Sequence, residues 1–161
     1  MNKRALVKAI IARLSDELAL NLQAARLAAA GATDEQNKAE NTYDTRGLEL
    51  SYLAAGQGRQ IAEAEATIAQ FRALVLRDFG PLDSIDLTAL VSLESSAHAG
   101  EPQPLYFLAP RGGGTEVRHA RRDILVITPQ SPLGQQLLGR RKGDRISFGR
   151  PATERRIATV C

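Results

Sequence analysis

The sequence predicts an α+β protein in two parts: an N-terminal antiparallel coiled-coil hairpin of helices over residues 1–80, then a small antiparallel or mixed sheet with one short helix over residues 81–161. Three observations predict it. Apolar residues repeat at helical spacing over most of residues 1–80. The period changes to two after Gly80-Pro81. Charge is also uneven: residues 1–80 hold 10 basic and 10 acidic side chains, residues 81–110 hold none and 4, and residues 111–161 hold 11 and 4.

The hairpin follows from counting. Before the polar stretch Asn37–Asp44, the residues Val7, Ile11, Leu14, Leu18, Asn21, Ala25 and Ala28 recur in alternating steps of 4 and 3. After it, Leu50, Ala54, Gln57, Ile61, Ala64, Ile68, Phe71 and Val75 do the same. Such spacing keeps each set on one stripe, the seam of a coiled coil. Folded antiparallel, Val7 meets Val75, Ile11 meets Phe71, Leu14 meets Ile68 and Leu18 meets Ala64. Every pair of numbers sums to 82, which puts the reversal at Asn41. The arm is then roughly 50 Å long, with Glu40 and Asp44 at its tip. Asp34 and Glu35 read as solvated charges farther back. Asp44 or Thr45 suits the N-cap of the second helix, because a short side-chain oxygen can accept from its free N–H groups. Gly56 and Gly58 fall opposite Ala24–Ala28, which fits either close helix approach or a loosened arm. Gly followed by Pro stops this helix near Phe79.

Beyond that stop, alternation from Ile85 to Leu93 predicts a first strand. Residues 98–102 form a turn. Leu105–Leu108 is a second strand, and Ile124–Ile127, continuously apolar, is expected at the sheet centre. Residues 129–139 read as a short helix, with Pro132 in its first turn and Leu133, Leu137 and Leu138 on one face. Asp144–Phe148 and Arg155–Val160 complete the sheet.

Composition narrows the function. With 24% charged and 43% apolar residues in 161, the chain suits one or two soluble domains. No apolar run reaches the roughly 20 residues that span a bilayer. Lys8 and Arg13 interrupt any signal-peptide core. The single cysteine, Cys161, permits no internal disulfide, so a reduced, cytoplasmic setting is expected. The basic C-terminal third, including Arg111, Arg118, Arg121 and Arg122, can attract RNA, DNA or an acidic protein surface, or simply be solvated. His98 and His119 have no companion cysteines and suggest no metal site.

The segment Thr128-Pro129-Gln130-Ser131-Pro132-Leu133-Gly134-Gln135-Gln136-Leu137-Leu138-Gly139-Arg140-Arg141-Lys142-Gly143-Asp144 resembles the Ser-Pro loop, short helix and Gly-Asp turn of the bacterial Gre transcript-cleavage factors (GreA and GreB). Glu40-Asn41 falls on that family's Glu-Asn tip pair, and the resemblance covers nearly the whole chain. It implies an FKBP-like C-terminal domain that docks on RNA polymerase, here through Ser131, Pro132, Leu133, Arg140, Arg141 and Lys142. It also implies a hairpin that enters the polymerase secondary channel, beside nascent RNA and DNA. The implied protein is a monomeric accessory factor with no cofactor of its own, not an enzyme. Glu40 and Asp44 would assist cleavage of backtracked RNA, and Glu40 and Asn37 would lie near the polymerase Mg²⁺.

Two departures bear on that chemistry. Asn37 stands where the family has Asp, and Asp44 stands where it has Tyr, with Tyr43 one residue earlier. The alternative is therefore a Gre-like channel-binding regulator without cleavage stimulation. A peptidyl-prolyl isomerase or chaperone is a further class. It would need an aromatic pocket, and after Pro81 the only aromatics are Tyr106, Phe107 and Phe148. A passive coiled-coil adaptor, indifferent to its tip, is the last.

Overall fold

The computed structural model describes residues 1–33, 46–80, 82–95, 104–148 and 153–161. They form α1 (Lys3–Thr33), α2 (Arg46–Arg72), β1 (Leu90–Ser95), β2 (Leu105–Leu108), β3 (Glu116–His119), β4 (Arg122–Ile127), α3 (Pro132–Leu137), β5 (Arg145–Phe148) and β6 (Thr153–Val160). Two compact units result, one of Met1–Ile10 with Gln70–Cys161 and one of Ile11–Ala69.

The unit Ile11–Ala69 is helical. Leu14 and Ile68, expected in the seam, are buried, whereas Leu20 and Leu27, outside the expected seam, are 63% and 67% exposed. Thr67 Oγ1 donates to the Glu63 carbonyl at 2.8 Å, which satisfies a buried hydroxyl inside the helix. A Cβ added to Gly56 or Gly58 would meet nothing within 4 Å.

The other unit is built on a six-stranded sheet of order β3-β4-β2-β1-β6-β5. It is mixed: β2 and β4 run parallel, and the remaining neighbours are antiparallel. Successive strand side chains point to opposite faces. One face contributes Val91, Leu93, Tyr106, Leu108, Ile127, Ile146 and Ile157 to a core shared with Ile85, Ala89, Leu133 and Leu137. The other face buries Leu90, Leu105, Phe107, Ile124 and Val126. Leu6, Val7, Ile10 and Phe71, also of this unit, are buried as well. Each such side chain contributes about 1.5–3 kcal/mol when fully buried. Toward β6 and β5 the second face turns polar, with a Ser92–Thr159 hydroxyl pair at 2.6 Å, Arg156–Glu94 at 2.7 Å and Arg145–Glu154 at 3.3 Å.

Four expectations are corrected. First, α2 ends at Arg72, not near Phe79, and Val75 is 81% exposed beyond it, so the Val7–Val75 seam pair does not form. Tertiary bonds take over from the helical ladder there. The Arg77 N–H donates to Thr88 Oγ1 at 3.0 Å, the Arg77 carbonyl accepts from Lys3 Nζ, and the Gly80 N–H donates to Asp83 Oδ2 at 2.8 Å.

Second, the first strand starts at Leu90, not Ile85. The Ala89 N–H closes a turn on the Asp86 carbonyl at 3.0 Å, and Thr88 takes φ +71, which ends extended backbone. Ile85 and Ala89 still reach the core, so the burial alternation holds where the strand does not.

Third, Ile124–Ile127 lies in β4, next to the edge; β2 and β1 are central, and β2 is buried at all four positions. Finally, α3 stops at Leu137. Leu138, its C-cap at ψ 127, turns off the apolar face and is 45% exposed.

Candidate partner-docking site

The docking residues expected from sequence gather on one short module between β4 and β5. Its entry is an N-cap. Ser131 Oγ accepts from the Gly134 N–H at 3.1 Å and donates to the Thr128 carbonyl at 2.7 Å. A Ser side chain satisfies a helix donor that would otherwise lack a partner. Pro132 follows at the first helical position, where its missing N–H costs nothing. Gly134 is required by proximity, since a Cβ there would sit 1.9 Å from the Thr128 carbonyl oxygen.

The exit is equally tied down. The Gly139 N–H donates to the Ile85 carbonyl at 2.8 Å, and the Ile85 N–H donates to the Arg140 carbonyl at 2.7 Å. Arg141 to Asp144 then form a closed turn. The Asp144 side chain accepts from the Arg141 N–H at 2.9 Å, and the Asp144 N–H donates to the Arg141 carbonyl at 3.1 Å. Gly143 takes φ +94, the left-handed region that favours glycine. On the far side, Gln136 Oε1 accepts from the Ser147 N–H at 3.2 Å and covers part of the β5 edge.

The module therefore presents a fixed surface. Pro132, Arg140, Arg141 and Lys142 are exposed, and none of the three cations pairs with a described carboxylate. Leu133 is the exception among the expected docking residues. It is 3% exposed and packs in the core, so its side chain holds α3 to the sheet and is not available to a partner. Ser131 contributes through the cap. Leu138, beside these cations in sequence, is a 45% exposed apolar side chain that the helical pattern hides.

Arg118 pairs loosely with Asp123 at 3.9 Å on the β3–β4 hairpin. Tyr106 and Phe107 are 5% and 0% exposed, so neither opens a proline-binding pocket. Burial raises the Tyr106 phenol above its usual 10.0, opposed by the positive charge of Arg155. Among the described residues no group of three His, Cys, Asp or Glu side chains could hold a metal, and no helix is long and apolar enough to cross a membrane. Asn37, Glu40 and Asp44 lie outside the described residues.

Together the elements define an α+β protein with two long N-terminal helices, a mixed six-stranded sheet and one short capped helix. Three solved structures to which the chain is similar are as follows. GreA factor homolog 1 (Gfh1) of Thermus thermophilus is 23% identical over 96% of each chain, with a TM-score of 0.37. Gfh1 of Thermus aquaticus is 25% identical over 95% of this chain and 94% of its own, with a TM-score of 0.38. The prokaryotic transcription elongation factor GreA/GreB from Nitrosomonas europaea is 20% identical over 70% of this chain and 91% of its own, with a TM-score of 0.36. No family model matches the chain, and neither does any curated protein.

Proposed function

We propose that this chain is a divergent Gre-like transcription factor. It docks on RNA polymerase through the FKBP-like sheet unit and acts inside the secondary channel through the helical hairpin. The observation that carries this reading is the Ser131–Asp144 module. The segment that resembles the Gre docking loop in sequence is capped, closed and held rigid, and it carries three exposed cations. A rigid basic surface favours an acidic protein partner and speeds its encounter.

At the tip, Glu40 supplies the carboxylate. Mg²⁺ takes hard oxygen ligands, and in a two-metal site such an ion activates water and stabilises developing charge. The ion and the nuclease chemistry belong to the polymerase; Glu40 lends an oxygen to that site. Asn37 can offer an amide oxygen but no charge. Asp44 either adds a second carboxylate or caps the following helix. Nascent RNA and DNA would be neighbours only within the polymerase complex, where the chain acts as a monomer in the cytoplasm.

The test is binding to purified RNA polymerase, followed by fluorescence anisotropy, with the wild-type chain and with the triple variant Arg140→Glu, Arg141→Glu, Lys142→Glu. Tight wild-type binding that the variant loses supports docking through this module. Equal binding by both, or none by the wild type, removes it. A second reading is favoured by Asn37, which leaves the tip one carboxylate short. The chain would then occupy the channel and modulate elongation or initiation without stimulating cleavage.

A further inference from the structure

One edge of the sheet is uncovered among the described residues. At the β5 end, Gln136 shields the edge through the Ser147 N–H. β3 lies at the other end, with β4 as its one sheet neighbour among the described residues. The glycine bulge that opens β3 sets the phase of its ladder. Gly114, at φ +91, donates to the Val126 carbonyl at 2.9 Å, and the Val126 N–H donates to the Thr115 carbonyl at 2.9 Å. Antiparallel bonds alternate from there. Val117 and His119, opposite Ile124 and Arg122, therefore bond to β4, and the backbone N–H and C=O of Glu116 and Arg118 point outward. We propose that this edge pairs antiparallel with β3 of a second copy of the chain, about a two-fold axis at Val117.

The residue order is self-complementary. With Val117 opposite Val117 of the second copy, Glu116 falls opposite Arg118 and Arg118 opposite Glu116. Their outward backbone groups can then exchange hydrogen bonds, and Val117 takes a non-hydrogen-bonded position, where facing side chains come closest. Ile124, beside Val117 on β4, is 1% exposed, so the half-buried Val117 carries an apolar row from the core to the axis. An open hollow of about 360 Å³ along Pro104, Val117 and Ile124 leaves that row accessible.

Charge selects the register. Asp123, Arg118 and Glu116 of the second copy form a row of alternating sign. Arg118 and Asp123 are 77% and 79% exposed and 3.9 Å apart, so the guanidinium keeps donors for a second carboxylate. Opposite charges facing across strands stabilise a pair, and like charges oppose it. The ladder permits slips of two residues, and each sets Arg118 on Arg118 or Glu116 on Glu116. An edge protected from pairing carries charge of one sign or proline; this one carries both signs in matching places. The strand is four residues long, so the contact is smaller than a standard interface and transient. It belongs to the free chain and leaves the α3 module, at the β5 end, uncovered.

The test is sedimentation velocity of the full chain from about 10 µM to about 1 mM, the range of weak interfaces, with amide exchange to locate the contact. The wild type should shift reversibly toward dimer as concentration rises, and the Glu116 and Arg118 amides should gain protection with it. Glu116→Arg and Arg118→Glu, both at exposed edge positions, should each weaken self-association about tenfold, because both symmetric pairs become like-charged. Mixed in equal amounts, the two variants should associate about tenfold more tightly than either alone, since every facing pair is again opposite. Arg118→Pro removes an outward N–H, spares the β4 ladder and should abolish the dimer. A wild type that stays monomeric at the top of that range, variants that associate as it does, or a mixture no tighter than its components would each overturn the proposal. Protection of the Glu116 and Arg118 amides by polymerase, in a chain that stays monomeric alone, would overturn it too and assign the edge to that partner. The self-association readouts need no polymerase, so their outcome stands apart from the function proposed above.

Discussion

The ammonium group of Lys3 sits 4.6 Å from the centroid of the Phe79 ring and donates to the Arg77 carbonyl. One side chain at the start of α1 thereby fixes the segment that follows α2. Arg77 is held from the other side as well, since its N–H donates to Thr88 Oγ1 at 3.0 Å. Thr88, 2% exposed, carries φ +71, a conformation that a β-branched residue adopts only under constraint.

Lys3→Met should therefore destabilise the sheet unit. The substitution keeps most of the aliphatic stem but removes the cation–π contact and leaves a carbonyl without its donor. A loss of about 1–3 kcal/mol is expected. Urea unfolding measures it. A midpoint unchanged from wild type would show that the contact is ornamental.

Among the described residues, Lys3 and Tyr106 act on the alkaline limb of stability with opposite signs. Burial lowers the Lys3 pKa below its usual 10.5, with nearby negative charge at Cys161 and Asp78 working against that shift. The unfolded chain then holds more protons between the folded value and 10.5, so this penalty eases as pH rises through that window. Tyr106 does the reverse. Its folded pKa lies above 10.0, so its contribution is fully present below 10.0 and is lost as pH climbs through the folded value. Tyr106→Phe should flatten the alkaline decline in melting temperature, and Lys3→Met should steepen it. Thermal melts across pH 9–11, a range of about one unit either side of the usual tyrosine value, separate the two.

Ser131→Ala should cost about 1 kcal/mol, the usual loss for an N-cap. Gly134→Ala should cost more, because its Cβ would collide with the Thr128 carbonyl at 1.9 Å. Denaturant midpoints check both. If the module is also the docking surface, both variants should weaken polymerase binding more than their stability loss explains, while a variant on the polar face such as Glu94→Gln should not.

Much of the α3 module is legible in the sequence because its signals are local. A Ser-Pro start, a glycine at the close approach and a Gly-Asp turn each have one physical meaning. The β3 strand is not legible. Val117 is its one apolar residue, and its turn to β4 places Ala120 and Arg121 at φ 50 and 61 with no Gly or Asn to announce it. The end of α2 is hidden for another reason. Nothing near Arg72 breaks a helix; hydrogen bonds of Arg77 to the Thr88 hydroxyl and from the Lys3 ammonium, both distant in sequence, capture the chain before the Gly80 stop. Similarly, Leu133 looks available beside Pro132, and only the sheet beneath α3 shows it to be core. Exposure of Arg140, Arg141 and Lys142 is readable because three consecutive charges between two turns have nowhere dry to go.

The most direct test of the functional proposal is RNA cleavage in stalled, backtracked polymerase complexes, with the wild-type chain and with Glu40→Ala and Asp44→Ala. The expected result is a wild-type chain that binds and changes the cleavage rate, with the change lost in Glu40→Ala. Loss in Asp44→Ala as well would assign that residue to the tip chemistry; retention would leave it a helix cap. A wild-type chain that neither associates with the polymerase nor alters transcript length would contradict the proposal.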